Sequence, residues 1–429
     1  MKLFFYINLI IISLHGINND NNNNCYLINL KEKQDQKESL NNNDSIIRLK
    51  IAFSCKDKNN FFDKIIESIQ CGKQIQSFVV EHNLKKESLY NKLAEENIQF
   101  YIYFYLENNI LIWKLYSVFD KKFIKGKSYS YQIDSIPLLR TILIDIWEEL
   151  FSDRITPFHS FLAYLDTSFS GGKQETCIQF CHPLLFGFEK TIFKIKQNIL
   201  DLSSIDSSPL QSLLFSTQND SGTAIMKLNS HGNIIPIINN NKMLISPTVS
   251  KDGLFYINSG SLHRYYYNKK KKEFCDQILT NTGDIASVYA ILNANAVLIS
   301  RNKNVYKIEY SINTITNELI PLKAQKITES QFNSANMTYD YIDNSVIVSQ
   351  KINGYYQLVS YENNQKRIIT HSLYHKQDPV ISPCGNYFAY VAQTNEGDRY
   401  IEVINKYTNE IIRVTKNSGE YRFPVWLVR

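Results

Sequence analysis

The chain has 429 residues, 44% of them hydrophobic and 13% aromatic, which is more than a single core usually fills and enough to bury two. Its 47 basic residues against 41 acidic ones give a formal charge of +6, an excess too slight and too scattered to call for a nucleic-acid partner. With Tyr and Phe dominating the aromatics, strands are favoured and a disordered chain is excluded for the bulk of the sequence.

In chain order, Met1-Lys2 precede a mostly apolar stretch from Leu3 to Leu14. That is the length of a signal-peptide apolar region and too short to cross a bilayer as a helix, so residues 1–16 read as an export signal. Ser13, His15 and Gly16 form only an approximate cleavage site, and an uncleaved anchor stays open as the alternative. Residues 17–44 open with an almost pure Asn run and continue as Lys, Asp and Glu without an apolar face, so a disordered tether is expected there. Compositional drift and a partner-binding tail both fit it. The seven cysteines are an odd set without tight spacing, unlike a small disulfide scaffold. Cys177 and Cys181, four apart on an expected strand, would be about 13 Å apart, too far to bridge each other, so buried thiols are expected.

Residues 45–157 read as an α/β domain. A strand over 46–53 leads into a helix with Phe62, Ile65, Ile66 and Ile69 on one face. A short strand near 77–80 and a helix over 84–96 follow, then three strands near 98–106, 110–117 and 122–131. Asp134-Ser135 before Ile136-Pro137 gives a helix start with a capping side chain and Pro in the first turn. The domain has no spaced-glycine phosphate loop: Gly171-Gly172-Lys173 lacks both the distant glycine and the hydroxyl residue after Lys.

From residue 158 onward the sequence repeats. Pro247-Thr-Val-Ser250-Lys-Asp252-Gly253 and Pro379-Val-Ile-Ser382-Pro383-Cys384-Gly385 share Pro-x-x-Ser-x-x-Gly running into an aromatic strand. The two prolines lie 132 positions apart, three periods of 44, and Pro424 with Trp426 comes 45 further on. A period near 44 is what a four-stranded propeller blade requires, at about 40–45 residues. Apolar strands at 161–164, 213–215, 254–256, 297–299, 346–348 and 388–390 give six blades, so residues 158–429 are expected to form a six-bladed all-β propeller. In the blade turns, Ser250, Asp252 and Ser382 are expected to accept backbone N–H groups, with Gly253 and Gly385 at positive φ and Pro247, Pro379, Pro383, Pro424 and Trp426 as structural neighbours. Phe423-Pro424-Val-Trp426 is a first strand without a sequel, and Phe161 to Tyr164 a second strand without a predecessor, so the C-terminus is expected to complete the first blade. The lysine run Lys269 to Lys272 reads as a hairpin tip, either simply solvated or a basic docking patch.

The junction residues Trp147-Glu-Glu-Leu150-Phe-Ser with Phe158-x-x-x-Leu162-Ala163-Tyr164, together with Phe423-Pro424-Val-Trp426, resemble the TolB family, the soluble component of the Tol-Pal envelope system. The resemblance covers about residues 46 to 429. It implies a small α/β domain in front of a six-bladed propeller, a periplasmic location, and protein binding without catalysis or cofactor. It also implies a Pal-like peptidoglycan-associated lipoprotein and a TolA-like inner-membrane protein as partners, with a monomer peripheral to the membrane. A secreted propeller of another family, acting as a lectin or host-protein ligand, is the alternative.

No nucleophile elbow occurs, and with no room after the propeller for the hydrolase domain that prolyl oligopeptidase-type peptidases attach to such rings, catalysis of that kind is not expected. His371 and His375 have a helical metal-pair spacing but fall in a link between blades, so no metal is expected. The candidate protein-binding residues are those placed just before innermost strands, around the channel rim: Lys242, His375, Gln377, Asp378, Tyr421, Arg422 and Phe423.

Overall fold

The computed structural model describes residues 49–428 apart from the short segments 57–59, 72–74, 81–85, 132–134, 152–155, 171–172, 185–188, 196–197, 206–211, 220–221, 230–231, 330–333 and the single positions 293, 364, 408 and 416. The expected export signal and tether lie outside the described residues. Two compact units part between Asp153 and Arg154.

The first unit is an α/β sandwich of one sheet and its helices. In chain order it runs β1 (Leu49–Cys55), α1 (Asn60–Cys71), β2 (Ile75–Val79), α2 (Lys86–Glu95), β3 (Phe100–Glu107), β4 (Ile110–Ser117), β5 (Lys122–Ser130) and α3 (Ile136–Leu150). The sheet order is β2-β1-β3-β4-β5, with β1 parallel to both β2 and β3 and the remaining pairs antiparallel. Phe62, Ile65 and Ile69 of α1 are buried, as their three- and four-residue spacing demands. At the start of α3, Ser135 accepts the Leu138 N–H at 3.3 Å and Pro137 occupies the first turn.

Among the described residues, the second unit consists of six four-stranded antiparallel sheets. Blade I takes its innermost strand from the C-terminus: Glu420–Val428 pairs with Ser160–Ser170, followed outward by Lys173–Cys181 and Glu189–Ile195. The innermost strands of blades II to VI are Asn198–Ile205, Leu244–Ser250, Ile285–Ile291, Ser334–Asp340 and His375–Ile381. In blade I the register is Leu165 with Arg422, Ala163 with Val425 and Leu162 with Trp426, the closure expected from the unmatched strands at the two ends. A lone four-stranded sheet buries neither face, and the cores accordingly lie between blades. One joins blades I and II (Leu165, Ile178, Leu213, Phe215), another III and IV (Phe255, Ile257, Val297, Ile299), another V and VI (Ile347, Leu358, Phe388, Tyr390).

Polar bridges cross the same seams. Arg264 of blade III, fully buried, donates to the Asn317 carbonyl of blade IV at 2.6 Å and to the Asp252 carbonyl at 2.8 Å, while its guanidinium lies 4.2 Å from the Tyr266 ring centre. Lys406 of blade VI reaches Asp340 and Asp343 of blade V. Such buried charges are tolerated because Lys406 is ion-paired and the Arg264 guanidinium is satisfied by carbonyl acceptors and an aromatic face.

The repeated turn behaves as its residues require, with one exception. Ser250 accepts the Asp252 N–H at 3.0 Å, and Ser382 accepts the Tyr387 N–H at 3.1 Å. Gly253 sits at φ +136°, where a Cβ would stand 2.7 Å from the Tyr265 carbonyl, and Gly385 at φ +73°. Asp252 does not cap a backbone N–H as expected: its carboxylate accepts the Tyr310 hydroxyl at 2.8 Å, because blade IV brings a tyrosine to it that sequence spacing does not display. Removing the Ser382 hydroxyl leaves the Tyr387 N–H without that acceptor, so Ser382→Ala is expected to lower stability by about 1 kcal/mol. A urea midpoint shifted downward at unchanged slope is the readout.

Candidate functional site

The innermost strands of the six blades enclose a central channel of about 890 Å³. Each strand's backbone is interrupted there. In blades III, V, VI and I the ladder skips two residues, leaving Ser246-Pro247, Ala335-Asn336, Asp378-Pro379 and Phe423-Pro424 unpaired as bulges. Proline has no N–H to give to a ladder, so the bulge is the place in an inner strand where it fits. Ser246, Asp378 and Phe423 adopt φ of +54°, +51° and +49°, a left-handed conformation costing a non-glycine residue roughly 1–2 kcal/mol.

Hydrogen bonds from blade to blade offset that strain. Asp201 of blade II accepts the backbone N–H groups of Leu202, at 2.8 Å, and of Ser246 in blade III. The Ser246 hydroxyl in turn takes the Val288 N–H at 3.0 Å and donates to the Val288 carbonyl of blade IV at 3.1 Å. On the opposite arc, Asn336 of blade V donates to the Asp378 carboxylate, which also accepts the Phe423 N–H of blade I. Tyr289 and Tyr341 bring their hydroxyls to 3.4 Å between blades IV and V.

The only charged side chains among the described lining residues are Asp201 and Asp378; no Lys, Arg, His or Cys contributes. Burial, reinforced by the charge of Asp378, pushes the Asp201 carboxyl up to about 7. Burial also pushes Asp378 up to about 6, although the N–H of Phe423 and the charges of Arg399 and Arg422 favour its ionised form. Apart from the Asn336 amide, the remaining wall is apolar or hydroxylic, with Met243, Ile245, Val249, Met337, Ile342 and Trp426 beside Ser203 and Ser287. An acidic, largely apolar channel can accept N–H donors and cations, and its lining offers no nucleophile with an adjacent base.

An α/β unit followed by a six-bladed ring that its own last strand closes is thus in place. Among solved structures, TolB from Acinetobacter baumannii superposes with a TM-score of 0.68 at 14% identity, over 88% of this chain and 96% of that one. The fold is that of TolB. The putative TolB from Agrobacterium tumefaciens matches with a TM-score of 0.37, 11% identity and coverages of 61% and 90%. A puromycin-hydrolyzing peptidase of Mycobacterium tuberculosis matches with 0.38, 8% identity and coverages of 60% and 47%. No family model and no curated protein matches the sequence.

Within this TolB-like ring, the rim residues read from the sequence take different places. Asp378 and Phe423 line the channel. Neither precedes its strand: both sit inside it, because the bulge lets pairing resume on the far side. Gln377 is the last paired residue before the bulge of blade VI, and Arg422 its counterpart in blade I. Arg422 is exposed and pairs with Glu420 at 3.3 Å, and Tyr421 packs edge-on against Tyr164 at 5.7 Å. His375 accepts the Tyr356 N–H at 3.1 Å, and burial lowers its pKa. Lys242 is on an exposed turn where its carbonyl accepts the Thr223 hydroxyl. These five are not among the lining residues. Asp201 and Asn336, which are, carry no local motif. Counting about one blade period back from Pro247 and Pro379 reaches them, the one signal that could have found them. His371 and His375 belong to no larger ligand set, and no group of three or more His, Cys, Asp or Glu among the described residues could hold a metal. No described helix is long and apolar enough to cross a membrane.

Proposed function

We propose that this chain is a non-enzymatic, periplasmic protein-binding hub of the TolB kind, which maintains the cell envelope by holding a Pal-like lipoprotein on its propeller. Its N-terminal tether engages a TolA-like inner-membrane protein, and an N-terminal signal exports it. The observation that carries this reading is the joint order of α/β unit and six-bladed ring, matched over 88% of the chain to TolB from Acinetobacter baumannii. The lining of the channel supports a binding role over a catalytic one, since it pairs buried acids with apolar wall and supplies no activated nucleophile.

The test is direct binding of the purified mature chain to the peptidoglycan-associated lipoprotein of its own organism, read by calorimetry. A dissociation constant on the order of 1 μM or tighter is expected. Tyr421→Ala combined with Arg422→Ala removes an aromatic and an arginine of the kinds that dominate hot spots, and binding should weaken about 10-fold or more. Absence of any complex with the lipoprotein sinks the reading.

A further inference from the structure

We propose that one end of blades III and IV is a docking surface for an anionic lipid bilayer. Its centre is the hairpin tip Lys269-Lys270-Lys271-Lys272, where all four side chains are exposed. The tip is built, not slack. Asn268, only 1% exposed, accepts the N–H groups of Lys270 and Lys271 at 3.0 Å each, and its carbonyl takes the Lys272 N–H at 2.8 Å. Its amide also donates to the Tyr266 hydroxyl at 3.3 Å. The backbone of the turn is therefore satisfied inward and the ammonium groups are left outward. Among the described residues none of the four makes an ion pair.

Apolar side chains surround this charge. Tyr267 and Phe274 close the hairpin opposite each other, their rings 5.4 Å apart, with Tyr265 stacked on Phe274 at 5.3 Å. Phe274 is 63% exposed. The neighbouring turn of blade IV is tied on by Asn317, which donates to the Tyr267 carbonyl at 3.1 Å, and it raises Ile315 to 71% exposure. Arg264 bonds the carbonyls of both Asp252 and Asn317, so the turn bearing exposed Lys251 belongs to the same end.

The chemistry selects a bilayer over a protein or a nucleic acid. The apolar groups stand exposed on hairpin and turn tips, Phe274 at 63% and Ile315 at 71%, where a bilayer can receive them without the complementary pocket that a protein anchor requires. The cations are lysines on flexible stems, suited to a diffuse negative field, and the surface has no exposed arginine fork for bidentate phosphate recognition. Tyrosine beside lysine and an isolated aliphatic tip is the composition of a membrane-water interface, with the lysine stems reaching past the apolar layer to the headgroups.

The experiment is sedimentation of the mature chain with vesicles of phosphatidylcholine alone or mixed with phosphatidylglycerol. Binding is expected on the mixed vesicles, at least several-fold weaker on the neutral ones, and falling as salt shortens the screening length from about 10 Å at 0.1 M to about 3 Å at 1 M. Replacing the four lysines by glutamine should lower partitioning on the order of 1,000-fold. Phe274→Ser with Ile315→Ser should weaken it separately while leaving its salt dependence. Because every substituted side chain is exposed, the urea midpoints of the variants should match the parent. Equal partitioning to both vesicles, or an unchanged glutamine variant, overturns the proposal. So does a chain that ignores the mixed vesicles yet binds polyglutamate or duplex DNA.

Discussion

Trp426→Ala is expected to lower the stability of the propeller by about 3–5 kcal/mol, the usual cost of emptying a buried aromatic site. The indole is 4% exposed, and its Nε1–H donates to the Val380 carbonyl of blade VI at 3.2 Å. The same residue pairs through its backbone with Leu162 of blade I, so one residue ties the last strand to the blade it completes by its main chain and to the blade before it by its side chain. Trp426→Phe keeps most of the apolar contact and loses the hydrogen bond, for an expected cost of about 1 kcal/mol. Deleting residues 420–429 removes the inner strand altogether and bares the edge of Ser160–Ser170. An exposed long edge strand is an aggregation template, so that truncation should lose cooperative unfolding and soluble yield together. Urea unfolding followed by far-ultraviolet circular dichroism separates the three, since Trp113 and Trp147, the tryptophans that remain, both belong to the first unit. A Trp426→Ala cost near zero would mean that the ring does not depend on this seam.

That the seam was readable at all follows from counting strands. Each apolar second strand, such as Val297 to Ile299 or Val346 to Val348, announces itself because both faces are buried between neighbouring blades. The α/β elements were legible for a related reason: the spacing of Phe62, Ile65 and Ile69 and the Ser135-Ile136-Pro137 start depend only on local periodicity and capping. What stayed hidden was non-local. Nothing near Asp201 tells that its carboxylate meets the N–H of Ser246 in the next blade, nor that Asn336 faces Asp378. Nor could the sequence say that a Pro would sit inside an innermost strand and not before it, because the bulge exists only once a partner strand defines the register.

The two channel acids should make stability depend on pH in a direction opposite to ordinary acid denaturation. A carboxyl ordinarily titrates near 3.8; in the folded channel Asp201 is pushed up to about 7 and Asp378 to about 6. Between about pH 4 and pH 7 the folded chain therefore holds protons that the unfolded chain has released. Stability falls as pH rises wherever the native state binds more protons, so it should decline through this window and level off above it. At about 1.4 kcal/mol per pKa unit, Asp201 alone should account for a loss on the order of 2–4 kcal/mol. Carboxylates held low by cationic neighbours, such as Asp284 beside Arg301, act in the opposite sense at lower pH, so the comparison must be differential. Asp201→Asn keeps an oxygen for the Leu202 and Ser246 N–H groups and removes the charge. Its melting temperature should equal that of the parent at pH 4 and exceed it at pH 8, with Asp378→Asn showing the same pattern at smaller amplitude. Parallel pH profiles for parent and Asp201→Asn would mean that the carboxyl is ionised in the folded channel at no cost. The acids would then be well solvated there and not, as the geometry has them, caps on the strained turns of the neighbouring blades.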